Sequence, residues 1–215
     1  MLIPGAETVL PSLWEAVAGT REVTWGERRA SDGRHEFTPS MAKVWQWKDD
    51  LPARRLALVG KHFGPRASLV APRLVPHVVA AAADRRAALT DFHAHVVEMV
   101  REHGPCTVPQ LRVLCGAEKK HVDALQRALV LTNSHRVPQD AGWDAVAVDL
   151  VERLYDVRPV VAADRELARV VAAASGAVSA ADVAGALGWR VKRAREALHG
   201  FDEHVEDGVT LYSAT

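Results

Sequence analysis

Between Arg190 and His199 the chain sets four cations against one acid. Arg190, Lys192, Arg193 and Arg195 stand around Glu196, and His199 closes the run. A guanidinium can meet the O6/N7 edge of guanine with two hydrogen bonds, and any lysine or arginine neutralises phosphate. On a helix, Val191, Ala194 and Leu198 share one face. Lys192, Arg193, Glu196 and His199 then fall opposite, with Arg190 and Arg195 on the flanks. The alternative is a solvated face held by intrahelical pairs such as Lys192 with Glu196. A weaker set lies upstream: Lys119, Lys120 and Arg127 beside Asp123, over a stripe of Val122, Leu125 and Leu129. His135 and Arg136 follow, where a hairpin arm would reach a phosphate. These ten positions are the expected contacts to a polyanion.

Other chemistries find less. His93 and His95 are two apart, so on a helix their rings diverge, and Cys106 and Cys115 do not have zinc-ligand spacing. Asp49-Asp50 places two carboxylates on neighbouring residues, which point apart; an N-cap before Leu51-Pro52 explains them equally well. Gly60-Lys61 lacks the glycine loop of a phosphate-binding motif, and no serine stands in a Gly-x-Ser-x-Gly elbow. The expectation is no metal, no cofactor and no catalytic residue. Trp45 and Trp47 share a face of a strand predicted over Lys43 to Trp47. They read as a core pair, or as a shelf for an unpaired base with Lys48, Arg54, Arg55, Lys61 and Arg66 nearby.

Composition frames these readings. The chain has 215 residues, 48% hydrophobic and 25% charged, the balance of a folded globular protein. Lys plus Arg equals Asp plus Glu at 27 each. A neutral total argues against a generally polyanion-binding surface, so any such footprint must be local. Two cysteines imply no disulfide framework and a reducing compartment. No apolar run approaches membrane-spanning length, and Met1-Leu2-Ile3-Pro4-Gly5 lacks a signal pattern. Abundant alanine, arginine and valine with scarce lysine indicate a GC-rich bacterial coding bias. A cytoplasmic, nucleoid-associated protein without a membrane partner is expected.

The elements that must position the cations come next. Asp164 to Ala174 carries Leu167, Val170, Val171 and Ala174 at helical spacing, before a break at Ser175-Gly176. Ser179 caps a short helix with Val183, Ala186 and Leu187, and Gly188 turns the chain. A third helix over Arg190 to His199 stops at Gly200. His204 to Glu206 and Val209 to Tyr212 flank Asp207-Gly208, a two-residue hairpin signature. Three helices and a hairpin in that order describe a winged helix-turn-helix, whose third helix is shaped for a major groove. The hairpin is acidic, through Asp202, Glu203, Glu206 and Asp207, and would repel phosphate.

The pattern has an earlier copy. Phe92 to His103 carries Phe92, Val96, Val97, Met99 and Val100; Gly104-Pro105 breaks it. Thr107 caps a helix with Leu111, Leu114 and Cys115, Gly116 turns, and a third helix is predicted over Lys119 to Leu131. A shift of 72 positions aligns Gly104 with Gly176, Thr107 with Ser179, Leu111 with Val183 and Gly116 with Gly188. Ser134 to Val137 and Trp143 to Val148 form the expected first hairpin, and Asp149 to Tyr155 leads helically into Arg158-Pro159. Upstream, a helix over Glu7 to Ala18, a loop over Arg21 to Pro39, a short helix at Leu51-Pro52, a strand ending near Gly60 and an apolar helix over Pro72 to Ala83 describe a degenerate third unit or an α+β cap. The expected fold is mainly α with small β wings, as tandem winged helix-turn-helix modules. The expected divisions are 1–86, 87–158 and 159–215.

The segment Phe37-Thr38-Pro39-Ser40 through Trp45-Gln46-Trp47-Lys48-Asp49-Asp50-Leu51-Pro52, with Gly60-Lys61, resembles small bacterial proteins related to the AlkZ/YcaQ DNA glycosylases. His103-Gly104-Pro105 and Lys119 to Val130 are similar to one of their winged units. The resemblance implies tandem winged helices and a role tied to DNA repair. It carries over no catalytic residue, because the Gln-x-Gln or Gln-x-Asp motif of the glycosylases is absent. Gln46, Gln110, Gln126 and Gln139 are followed by Trp-Lys, Leu-Arg, Arg-Ala and Asp-Ala. The expected partner is double-stranded DNA, with single-stranded or damaged DNA as variants of it. A sequence-specific transcriptional regulator and a protein-interaction module are the alternatives.

Overall fold

The computed structural model describes residues 49–63, 67–139, 142–160, 163–175 and 177–213. The helix expected over Glu7 to Ala18, the strand over Lys43 to Trp47 and the Trp45–Trp47 pair lie outside these residues, as do Lys48, Arg66 and Gly176. A helical stretch over 49–53 precedes the hairpin β1 (Leu58–Gly60) and β2 (Ser68–Val70), a 3-10 turn over Pro72–Leu74, α1 (Val75–Ala81) and α2 (Ala83–Ala87). Next come α3 (Asp91–His103), β3 (Cys106–Thr107), α4 (Val108–Cys115), α5 (Lys119–Arg127), β4 (Leu131–Val137) and β5 (Ala145–Leu150). After the short α6 (Val151–Leu154) follow α7 (Asp164–Ser175), β6 (Val178–Ser179), α8 (Ala180–Leu187), α9 (Val191–Ala197), β7 (Asp202–Glu206) and β8 (Val209–Ser213). The chain is helix-rich, with small antiparallel sheets.

The same local chemistry builds the central and closing thirds. Thr107 and Ser179 each start a helix by a reciprocal cap: Gln110 N donates to Thr107 Oγ1 at 3.4 Å, and Asp182 N to Ser179 Oγ at 3.1 Å. Each helix ends at a left-handed glycine, Gly116 (φ 73°) and Gly188 (φ 67°), which a side chain would strain. Each third is helix, strand, helix, helix, strand, strand, and the strand orders match: β3-β5-β4 and β6-β8-β7. Moved by 72 residues, β3 and α4 fall on β6 and α8 residue for residue. The buried positions correspond too, Val96 with Ala168, Val100 with Ala172, Leu111 with Val183 and Val122 with Ala194. The repeat seen in glycines and caps is a repeat of structure.

Among the described residues, two cores hold the chain together. Val96, Val100, Leu111, Val122, Leu125, Leu131, Val148 and Leu150 form the core of the central third. The other joins the N-terminal elements to the closing third: Leu58, Val70, Leu74, Val75 and Val78 pack with Leu167, Val171, Val183, Leu187 and Leu198. Thus α1 lies against α7 and α8, while β1 runs beside β4. Polar stitches secure the N-terminal hairpin to the central third: Thr132 Oγ1 donates to Val59 O at 2.9 Å, and Tyr155 OH to Ala57 O at 2.7 Å.

Several sequence expectations need correction. The helix begun at Lys119 ends at Arg127 instead of running to Leu131. Leu129 adopts φ 56° and Val130 N returns to Leu125 O at 3.0 Å, so that Leu131 can enter the sheet. In the closing third Arg190 is the cap of α9, and the helix stops at Ala197 before a turn through His199. Val191 is 43% exposed, and Ala197 replaces it in the buried stripe. Leu114 is 40% exposed and is not a core residue. Asp149 and Leu150 belong to β5, and only Val151–Leu154 is helical. The single apolar helix expected over Pro72 to Ala83 is a 3-10 turn followed by α1 and then α2.

Candidate nucleic-acid interface

Around α9, Arg190, Lys192, Arg195 and His199 are exposed. Lys192 lies 4.0 Å from Glu196, the intrahelical pair that the sequence allows. Arg190 and Arg195 have no ion pair among the described residues. Arg193 behaves differently. Its Nε and Nη2 donate to the two oxygens of Asp164 at 2.7 and 2.8 Å, Nη1 lies 3.6 Å from Asp84, and the guanidinium covers the Trp189 ring at 4.4 Å. The hydrogen bond from Arg193 holds the Asp164 carboxyl below its usual range. Helical periodicity puts Arg193 on the outward face, but the length of its side chain lets it fold back onto α7. Arg193→Ala is therefore expected to cost about 1 kcal/mol of stability through the lost pair and ring contact. Lys192→Ala should stay within about 0.5 kcal/mol. Urea denaturation of the two variants checks this, and equal midpoints would refute the anchoring role.

Around α5, Lys119 Nζ lies 2.5 Å from Asp123 Oδ2 and Lys120 Nζ 2.9 Å from Glu118, and Arg127 is exposed. His135 is exposed on β4, its Nδ1 3.0 Å from Ser134 Oγ. Arg136 is half-buried and bound to Asp49 at 2.6 Å, which ties the sheet to the helical stretch over 49–53. The structure brings a further cation to α5 from the N-terminal hairpin: Lys61 Nζ is 3.3 Å from the same Asp123 oxygen. The sequence groups Lys61 with the tryptophan pair instead, because spacing along a chain carries no sign of a contact 62 residues away.

Beneath Lys61 lies a buried polar knot. Gln126 Oε1 accepts from Lys61 N at 2.9 Å, and Gln126 Nε2 donates to Asn133 Oδ1 at 2.8 Å. The His62 ring is fully buried, with Nδ1 donating to Gln126 O at 2.8 Å, and burial pushes its pKa down to about 4. The neutral ring is the form the fold accepts.

The two hairpin arms differ in character. Asp202, Glu203, Glu206 and Asp207 are all exposed on β7 and its turn, as their residue types suggest. Trp143, at the tip of the β4–β5 hairpin, is 88% exposed, at a position that the sequence pattern marks only as a strand start. Its signal in the sequence is a tryptophan directly after Gly142. Among the described residues no cluster of three or more His, Cys, Asp or Glu is arranged for a metal. No helix among the described residues is long and apolar enough to cross a membrane.

The AlkZ-related family matches residues 10–166, well over half of the chain. The chain belongs to that family, and it is a DNA-repair-related protein. The match covers the N-terminal elements and the whole central third and ends in the first turn of α7; the rest of the closing third lies beyond it. No curated protein and no solved structure matches the chain.

Proposed function

We propose that this AlkZ-related protein binds double-stranded DNA through two winged helix-turn-helix units in succession, in the service of DNA repair. The units are 87–158 and 159–215, behind an N-terminal region reaching to 86. The observation that carries the reading is the twofold element order with identical strand order, in which α5 and α9 take the recognition position. Exposed Lys120, Arg127 and His135 flank the first such helix, and Arg190, Lys192, Arg195 and His199 line the second. Damaged or single-stranded DNA is the natural variant of the partner, with the 88%-exposed Trp143 available to stack on an unpaired base. Base excision is not part of the reading, because no glutamine motif is present to activate water.

A salt titration tests it. Binding through phosphate contacts makes log affinity fall linearly with log salt, at about 0.9 per contact on duplex DNA. An affinity insensitive to salt between roughly 50 and 200 mM would exclude phosphate recognition. The acidic β7–β8 hairpin favours a second reading for the closing unit alone, docking to another protein. In that case alanine at the exposed Arg190, Lys192 and Arg195 leaves the salt slope unchanged.

A further inference from the structure

Lys61 and Lys119 reach the same carboxylate oxygen, Asp123 Oδ2, at 3.3 and 2.5 Å. One carboxylate cannot neutralise two ammonium groups. The cluster keeps a net positive charge, and the amine with the longer contact gives up its proton more readily. That amine is Lys61: the neighbouring Lys119 and then burial lower its pKa, whereas Asp123 raises that of Lys119. The mounting is stiff. Lys61 N is held by Gln126, Gln126 by Asn133, and the next residue is the fully buried His62. The Lys61 side chain is 32% exposed, and its backbone is fixed by the Gln126 contact. An ion pair alone needs no second lysine, and a second ammonium favours the neutral, nucleophilic form of the first amine by discouraging its protonation.

We propose that Lys61 is a nucleophile toward the aldehyde of a ring-opened abasic sugar in DNA, and that it cleaves the strand there by β-elimination. The inference rests on the DNA-binding reading of α5. An amine reacts with carbonyl carbon, and the aldehyde that a DNA strand carries in its own backbone is that of a nucleotide stripped of its base. The neutral Lys61 amine adds to C1′, and the adduct loses water to give an iminium. Asp123 removes a C2′ proton; the electron pair forms the C2′–C3′ double bond as the C3′–O3′ bond breaks. The downstream fragment departs with a 5′-phosphate. Water then hydrolyses the conjugated iminium, freeing Lys61 and leaving an unsaturated aldehyde on the upstream 3′ end.

The test is reductive trapping. The full chain is incubated with a duplex containing one abasic site in the presence of cyanoborohydride. The expected result is a covalent protein–DNA species whose peptide mass maps to Lys61. Lys61→Arg keeps the charge and should lose the species by about a hundredfold or more, with folding verified by its thermal unfolding. In Lys119→Met the pH of half-maximal trapping should rise, because the competing ammonium is gone; a merely structural Lys119 would not move it. Trapping undiminished in Lys61→Arg, a peptide map to another lysine, or reaction with free 2-deoxyribose 5-phosphate but not with the duplex would each overturn the proposal. Binding of the parent protein to a duplex with a tetrahydrofuran abasic analogue separates the two levels. Binding without trapping removes the lyase and leaves the DNA reading intact, whereas no binding removes both.

Discussion

Alanine at Lys119, Lys120 and Arg127 together is expected to weaken duplex DNA binding roughly 500-fold near 0.1 M salt if the central unit carries the contact. Releasing one condensed counterion at that salt is worth nearly tenfold, and three contacts also flatten the slope by nearly three units. The matched set in the closing unit is Arg190, Lys192 and Arg195; Arg193 is left out because it is bound to Asp164. All of these side chains except Lys119 and Lys120 are free of short ion pairs, and exposed substitutions seldom move stability by more than about 0.5 kcal/mol. The comparison therefore reads affinity and not folding. Mobility shifts with both triple variants across a salt series assign the contact to one unit or to both. Neutralising Asp202 and Glu206 should leave affinity unchanged or raise it, since their carboxylates repel phosphate. If both basic triples bind as tightly as the parent protein, α5 and α9 are not recognition helices.

Acid should open the junction between the N-terminal hairpin and the central unit. His62 titrates near 4 in the folded chain and near 6.5 when unfolded, so the unfolded state binds the extra proton between those values. Stability from the neutral ring is complete above pH 6.5 and is lost progressively as the pH falls toward 4. The loss amounts to about 3 kcal/mol, since each tenfold difference in proton affinity between the two states is worth about 1.4 kcal/mol. Urea midpoints at pH 7 and pH 4.5 measure it. His62→Gln removes the titration: it starts less stable at pH 7, but its midpoint falls less on acidification than that of the parent. Carboxylates paired in the fold, Asp123 and Asp164 among them, titrate alike in both proteins and cancel in the comparison. Parallel pH profiles would rule out His62 as the sensitive group.

Much of the fold is legible in local signals. Thr107 with Gln110 and Ser179 with Asp182 cap helices through atoms three residues apart, and Gly116 and Gly188 end them by a backbone geometry that glycine adopts without strain. Asp207-Gly208 likewise makes its hairpin, with φ 49° and 76°. Such interactions close within a few residues, so residue type and spacing specify them. Periodicity alone overextends the helix that starts at Lys119, for a nonlocal reason: Leu131 pairs with Leu150, and a sheet partner outweighs helical periodicity at the end of a helix.

The candidate site divides along the same line. The sequence by itself determined the repeat at 72 residues, the two basic helices and the acid of the second hairpin, because each depends on neighbours in the chain or on residue charge. Only the tertiary structure decided which cations are available. Arg193 turns inward because Asp164 and Trp189 lie within its reach, and Arg136 because Asp49 does. The meeting of Lys61, Lys119 and Asp123, and the burial of His62 beneath it, arise where β1 docks beside β4. A flexible lysine or arginine side chain can satisfy its charge in several directions, so its partner is set by what the packing of distant segments brings within a few ångströms.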